Sequence, residues 1–482
     1  MSSELPLPIL EDYGISPING FLPTKFPASQ LTNIYYMKWE NILTNLPSLI
    51  LTGRLRKIVD ELPILEVKDE LLNDVSQLRR AYSVLTFIAN AYIWGRDTAC
   101  DTLPDSVAKP LLVVSEALGL PPLATYASLI LWNFRPIVMD LSDSDLWDLD
   151  NLSTINTFTG AMDESWFYLV SVYFEKVGAK CIVAGMDALR AVRSNDRKAV
   201  TSALQDLAEH IDTLGTVLMK MENMCDPYVF YYRIRPYLAG WKQMEDAGLP
   251  NGVKYGSEGD YRCYAGGSNA QSSLIQTLDI FLGVEHFPEG VQSKVEDRTI
   301  SALSNKNSYL NDMRSYMPKE HRAFLEHLAK VCNIRDYVLT NKASDPKLLL
   351  TYDACVGMLK SFRDKHIQIV TRYVILQARK GRASRSKTFR AGLSKNFGST
   401  QQTGTGGTSL IPFLKQCRDE TGNVAASEWG NRILNMGTLN VRESGFEVAP
   451  KRNRSNERNS PGKRQKVVEQ VEDTEQSSVG HW

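Results

Sequence analysis

His366 stands where a titratable ring is least expected. In the stretch LKSFRDKHIQIVTRYVI, residues 359–375, apolar side chains recur at helical spacing: Leu359, Phe362, Ile369, Val370 and Tyr373. His366 falls on the same stripe, seven residues after Leu359 and seven before Tyr373. An unpaired ring nitrogen in an apolar interior costs about 1–3 kcal/mol, so something must satisfy it. A hydrogen bond inside the core is one answer. No carboxylate or cysteine shares the stripe to complete a zinc site. A single imidazole in an apolar slot between helices also suits haem iron, which takes one axial nitrogen from the protein.

Two further stretches carry groups suited to a ligand. YAGGSNAQSSLIQTLDIFLG, residues 264–283, opens with small residues: Ala265, Gly266, Gly267, Ser268, Asn269 and Ala270. Paired glycines let a backbone approach something flat or bulky, and they equally suit a tight turn feeding a helix. Ser273 and Gln276 have capping-box spacing, which predicts a helix from there to Gly283. DPYVFYYRIRPYLAGW, residues 226–241, offers Asp226 as a cap and Pro227 at the first helical position. Tyr231 and Arg235, four apart, share a face. That pattern reads as core packing with surface arginines, or as an arginine in an aromatic pocket gripping a carboxylate.

Other chemistries find no signature. The sequence has no HExxH motif. His321 and His327 are six apart, do not share a helix face, and read as surface residues. GTGGT at 404–408 follows no predicted strand, so it is neither a dinucleotide fold nor a phosphate loop. GxSxG is absent.

The elements that must position these groups are helical. Of the 482 residues, 43% are hydrophobic and 23% charged, as in globular proteins, and net charge is zero, which gives no electrostatic case for nucleic acid. No uncharged apolar run is long enough to span a membrane, and no secretory signal is legible. Seven scattered cysteines argue against a disulfide framework, so a reducing, cytoplasmic setting is expected. The predicted fold class is all-α, with at most a short hairpin near 250–265. The predicted organisation is an extended arm over 1–30, a small helical domain over 31–140 and a connector over 141–157. A large helical domain over 158–420 comes next, with a mobile basic and glycine-rich loop at 379–408. A polar, largely disordered tail over 421–482 carries the basic run KRNRSNERNSPGKRQK, solvated or read as a nuclear-import patch.

Together, GGSNAQSSLIQTLDIFLGV, YMPKEHRAFLEHL, YDACVGMLKSFRDKHIQIVTRYVI and GTGGTSLIPFLK resemble the indoleamine 2,3-dioxygenase family. Their order and spacing agree with it, as does GLPPLATYASLILWNF upstream, and the resemblance is expected to cover residues 15–420. The long basic tail points to a fungal member. The resemblance implies two helical domains with one haem b in the larger. His366 matches the proximal ligand of that haem. Arg363 matches a position that pairs with a haem propionate or orients the proximal side, and Asp279 a proximal-side carboxylate. Ser268 matches a distal serine beside bound dioxygen, with Gly266 and Gly267 next to it in the cofactor wall.

The same resemblance implies a substrate site. Phe230 and Arg235 match the aromatic and the arginine that hold tryptophan, the arginine on its carboxylate. Tyr126, Phe167 and Ser171 match residues lining the indole pocket. Leu129 and Ile130 stand where the family often has cysteine and valine, so they bear on pocket volume and tolerated substituents. Thr405 matches the loop that closes over the substrate. The implied activity is insertion of both atoms of dioxygen into L-tryptophan, giving N-formylkynurenine, the first step of the kynurenine route towards NAD. An electron donor keeps the haem ferrous, and a monomer is expected. A haem oxygen carrier or sensor on the same fold is the alternative; it needs His366 but neither Arg235 nor the closing loop.

Overall fold

Helices are set by caps that satisfy their first free N–H groups. The structure, a computed structural model, is described for residues 5–287, 308–383 and 410–435. Helix α1 (Val75–Trp94) starts where the Asp74 carboxylate accepts from Ser76 N and Gln77 N, and stops at Gly95. It packs on α2 (Asp105–Leu118). Helix α3 (Met162–Arg193) has Asp163 and Glu164 in its first turn and Arg190 and Arg193 in its last, matching the helix dipole. The chain reverses through Asn195 (φ 53°), and Asp196 caps α4 (Arg197–Met219). Helix α5 (Ser273–Phe281) is followed by α6 (Lys319–Val331). Asp345 caps α7 (Pro346–Val370), which has proline at its first position, and α8 (Leu410–Gly422) lies along α7.

Strands are short. β1 (Thr102–Leu103) pairs in parallel with β4 (Val253–Tyr255), in register Thr102 to Lys254 and Leu103 to Tyr255. β4 pairs antiparallel with β5 (Tyr261–Arg262), which is the expected hairpin. β2 (Phe134–Pro136) and β3 (Leu152–Thr154) form a second antiparallel pair that periodicity did not reveal, because three-residue strands hold too few alternations.

Two apolar cores run through residues 5–435. The first gathers α1, α2, residues 123–134, Trp166–Val172 of α3 and the aromatic segment 230–241. The second gathers α4, α5, α6, the rest of α3 from Phe174, and α7 as far as Phe362. Helix α3 therefore changes core between Val172 and Phe174, and α7 between Phe362 and Ile369. His366 lies at that second crossing. Close packing of α3 on α5 depends on Gly178 and Gly185, where an added Cβ would sit 2.1 Å from Leu274 and Phe281 side-chain atoms.

The N-terminal arm covers α6. Tyr13 Oη meets His327 Nδ1 at 2.6 Å, and His327 Nε2 reaches Pro6 O at 2.9 Å. His321, expected at the surface, is instead buried against Phe21, with ring centroids 4.8 Å apart. Burial, with Arg79 nearby, pushes its imidazole down to about 3, so it is a neutral core ring.

Candidate functional site

A cavity of about 280 Å³ occupies the junction of the two cores. Three of its walls are helical turns widened to π geometry: Ala127–Leu131, Phe230–Ile234 and Thr371–Ile375. Such turns re-aim side chains that a regular helix would stack. They bring Leu129, Ile130, Phe230, Tyr373 and Val374 to the cavity. The helix predicted from Pro227 runs without a gap to Leu238, as Pro227–Val229, the π turn and Arg235–Leu238 in succession. Asp226 does cap its start, accepting from Tyr228 N and Val229 N.

Of the residues singled out from sequence, Tyr126, Leu129, Ile130, Phe167, Ser171, Phe230, Arg235, Gly267, Ser268, Asp279, Arg363 and His366 all line this one cavity. Phe167 and Phe230 meet at 5.0 Å between centroids, and Phe230 meets Tyr373 edge-on at 5.7 Å. Ser171 Oγ donates back to Phe167 O. Arg235 is 2% exposed, and its guanidinium lies 5.3 Å from the centre of the Tyr231 ring. Burial lowers its affinity for the proton, with Tyr231 opposing, and an arginine at this depth still carries its charge. Ser268 caps the turn Asn269–Gln271, its Oγ accepting from Ala270 N at 3.3 Å.

Gly266 sits one residue behind the wall. Its added Cβ would lie 2.2 Å from Leu238 O and 2.3 Å from Gly240 N, so what it approaches is the backbone leaving the aromatic segment. Gln271 ties this turn to the indole-side wall: its Oε1 accepts from Tyr126 N at 2.9 Å and its Nε2 donates to Gly266 O at 2.8 Å. No capping box forms at Ser273. Gln276 instead accepts from Arg314 Nε at 2.7 Å and donates to Leu310 O at 3.1 Å. Thr405, the segment 384–409 and the tail beyond 435 lie outside the described residues.

His366 is half-buried, open to the cavity, and makes no hydrogen bond among the described residues. Burial, with Arg363 one turn away, pushes its imidazole down to about 4. It is neutral at physiological pH, with a lone pair for a ligand. Both terminal nitrogens of Arg363 are engaged by protein. Its Nη2 donates to Asp279 Oδ1 at 2.6 Å and Oδ2 at 2.8 Å, and its Nη1 donates to Cys417 O at 2.7 Å and to Thr421 Oγ1.

Sequence reasoning missed the rest of this network. His286 bridges Asp279 Oδ2, at 3.2 Å from Nε2, and Glu420 Oε2, at 2.6 Å from Nδ1. Burial opposes its charge, but Asp279 and hydrogen bonds to Asp279, Cys417 and Glu420 outweigh that and raise it well above its ordinary range. His286, Cys417 and Glu420 bring ligand-type atoms within 4.8 Å of one another. A cationic imidazole with both nitrogens donating to carboxylates has no lone pair for a metal, whereas the neutral ring of His366 has one. Glu175 was also missed, although its place four residues after Ser171 and eight after Phe167 is a helical signal.

A cavity walled by helices, lined by a neutral His366 imidazole that has no hydrogen-bond partner among the described residues, defines an all-α protein with a ligand-sized pocket. Comparison with known proteins narrows the class. The family model described as indoleamine 2,3-dioxygenase matches residues 9–424. The chain is 50% identical over 447 residues to indoleamine 2,3-dioxygenase of Saccharomyces cerevisiae, covering 89% of this chain and 96% of that one. It is 38% identical to indoleamine 2,3-dioxygenase nanC of Aspergillus nanangensis and 37% to indoleamine 2,3-dioxygenase acdA of Aspergillus candidus, each covering 86% of this chain and 96% of the relative. The chain belongs to the indoleamine 2,3-dioxygenase family and is an oxidoreductase of the dioxygenase type.

Proposed function

We propose that this protein holds haem b through His366 and uses dioxygen to open the indole ring of L-tryptophan, giving N-formylkynurenine at the head of the kynurenine route. The observation that carries this reading is the neutral His366 ring, without a hydrogen-bond partner among the described residues, in the same cavity as Arg235. Haem, when bound, supplies the dioxygen chemistry that no side chain of this cavity can perform. The work of the protein is to bind and orient. Arg235 takes the substrate carboxylate through a charge-assisted pair. Phe167, Phe230 and Tyr126 confine the ring, and Leu129 and Ile130 limit its substituents. Ser268, whose oxygen already accepts from Ala270 N, keeps its O–H to donate to substrate or dioxygen. Arg363 and Asp279 brace the His366 side of the cavity.

The presence of Arg235 in the wall of the cavity that His366 also lines supports the enzyme over a haem oxygen carrier, which has no carboxylate to hold. The setting proposed is the cytoplasm, with the chain as a monomer and an electron donor keeping haem ferrous. All seven cysteines are free, which fits a reducing compartment. Among the described residues no helix is long and apolar enough to cross a membrane. Purified protein is tested for a stoichiometric Soret band and for formylkynurenine formation with ascorbate and methylene blue. His366→Ala should lose both. A variant with full haem content and normal turnover refutes the assignment, and haem without product in the wild type selects the carrier.

A further inference from the structure

Glu175 lies on α3 one turn beyond Ser171 and is 1% exposed. Its Oε1 accepts two hydroxyl hydrogen bonds, from Tyr126 Oη at 2.9 Å and from Ser272 Oγ at 2.6 Å. Its Oε2 is buried and has no hydrogen bond among the described residues. Both donors line the cavity, Tyr126 ahead of the π turn 127–131 and Ser272 at the entry to α5. One carboxyl oxygen therefore joins two walls that come from distant parts of the chain. Among the described residues no cation compensates it. Lys176, next on α3, turns outward to Ile18 O and Asn19 Oδ1, and the titratable group facing Glu175 is Tyr126, which burial and Glu175 itself keep protonated.

We propose that Glu175 is a positioning residue for substrate, its Oε1 fixing Tyr126 and Ser272 in the cavity wall. The inference rests on tryptophan being the substrate of that cavity. Because Oε1 receives two hydrogens, the proton of the acid form sits on Oε2. In the acid form Tyr126 and Ser272 make ordinary hydrogen bonds to a carbonyl-type oxygen. In the carboxylate form both become charge-assisted, about twice as strong. Burial, only partly offset by the bonds from Ser272 and Tyr126, lifts Glu175 to about 7, so both forms are populated near neutrality. The wall is firm above that pH and looser below it.

The experiment measures KM for tryptophan and kcat on the haem-loaded enzyme from about pH 6 to 8, in wild type and Glu175→Gln. The amide has the shape of the acid form and does not ionise. Wild-type KM should rise about fivefold towards acid, with kcat changing less, and Glu175→Gln should hold the acid-limb KM throughout. Infrared spectroscopy reads the carboxyl without turnover: a protonated C=O stretch should titrate near neutrality in wild type and be missing in Glu175→Gln. Tyr126→Phe removes a donor that lowers Glu175, so its infrared titration should move to higher pH, which keeps the test open if Glu175→Gln does not fold. Superimposable KM profiles, or a carboxyl band that does not titrate in this window, overturn the inference. Absence of tryptophan turnover in wild type overturns the proposed function instead, and the infrared arm then still decides whether Glu175 is the titrating group in that wall.

Discussion

Replacing Asp279 by asparagine should unbalance a closed set of charges beside His366. Arg363 and His286 supply two positive charges, and Asp279 and Glu420 supply two negative ones, all in the interior. Asparagine keeps the size and one acceptor oxygen but leaves the set at +1. Breaking a buried pair by neutralising one partner costs about 3–5 kcal/mol. Glu420 still faces His286 at 2.6 Å, and the amide oxygen still accepts from Arg363, so the lower end, about 3 kcal/mol, is expected.

The cost should depend on pH. His286 is raised above its ordinary 6.5, so its contribution is complete below 6.5 and is lost as pH climbs through the raised value. Asp279 is lowered from 3.8: burial opposes this, but Arg363 and His286 prevail. Its contribution is present above 3.8 and lost as pH falls through the lowered value. Both therefore act in full between about pH 4 and 6.5. In Asp279→Asn the carboxylate that does most to keep His286 charged is gone, so raising the pH lets the ring shed its proton and relieves the excess charge. Urea unfolding of wild type and variant, followed by tryptophan fluorescence at about pH 5.5 and pH 8, should show the larger deficit at the lower pH. A deficit below about 1 kcal/mol, or one that is equal at both values, would refute the charge-balance reasoning.

Arg235→Ala should raise KM for tryptophan by about 10- to 150-fold, the 1.5–3 kcal/mol of a lost charge-assisted pair, with a smaller effect on kcat; unchanged steady-state kinetics removes Arg235 from the site. Gly266→Ala should abolish soluble expression, because its Cβ meets backbone atoms at 2.2 and 2.3 Å that cannot move aside. Gly267→Ala meets the Leu129 side chain at 2.5 Å, which can turn, so this variant should fold by circular dichroism and bind tryptophan more weakly; equal yields of the two variants would contradict the close-approach account.

How much of this was legible depended on whether the deciding contact was local. The helical class follows from spacing alone, and Asp226 marks its helix start as read. His366 could be flagged because seven-residue intervals place it on the stripe of Leu359 and Tyr373. Where a tertiary partner competes with a local one, the reading failed. Gln276 has the spacing to cap α5 but is taken by Arg314 and Leu310, from a segment more than thirty residues on. His321 looked like a surface residue because nothing on its own helix shows that Phe21, some three hundred residues earlier, covers it. His286 and Glu420 are 134 residues apart in the chain and meet only in space.

The π turns belong to the same category, and they explain why the cavity residues resist a helical-wheel reading. An apolar stripe with period 3.6 describes a face that packs continuously against a neighbour. At a cavity the face must do the reverse and hold side chains apart. One extra residue in a turn rotates the downstream side chains by roughly 100°, which breaks the stripe where the wall begins. Tyr373 shows the result. It is on the predicted stripe, yet it lies in the turn Thr371–Ile375, donating its hydroxyl to Cys225 O at 2.7 Å while its ring meets Phe230. The hydrogen bond fixes the π turn that follows α7 to the residue just before the aromatic segment, so two irregular turns support each other across the cavity. Regular helix fills both cores, and the irregular backbone is concentrated where they meet, which is where a ligand has room to enter.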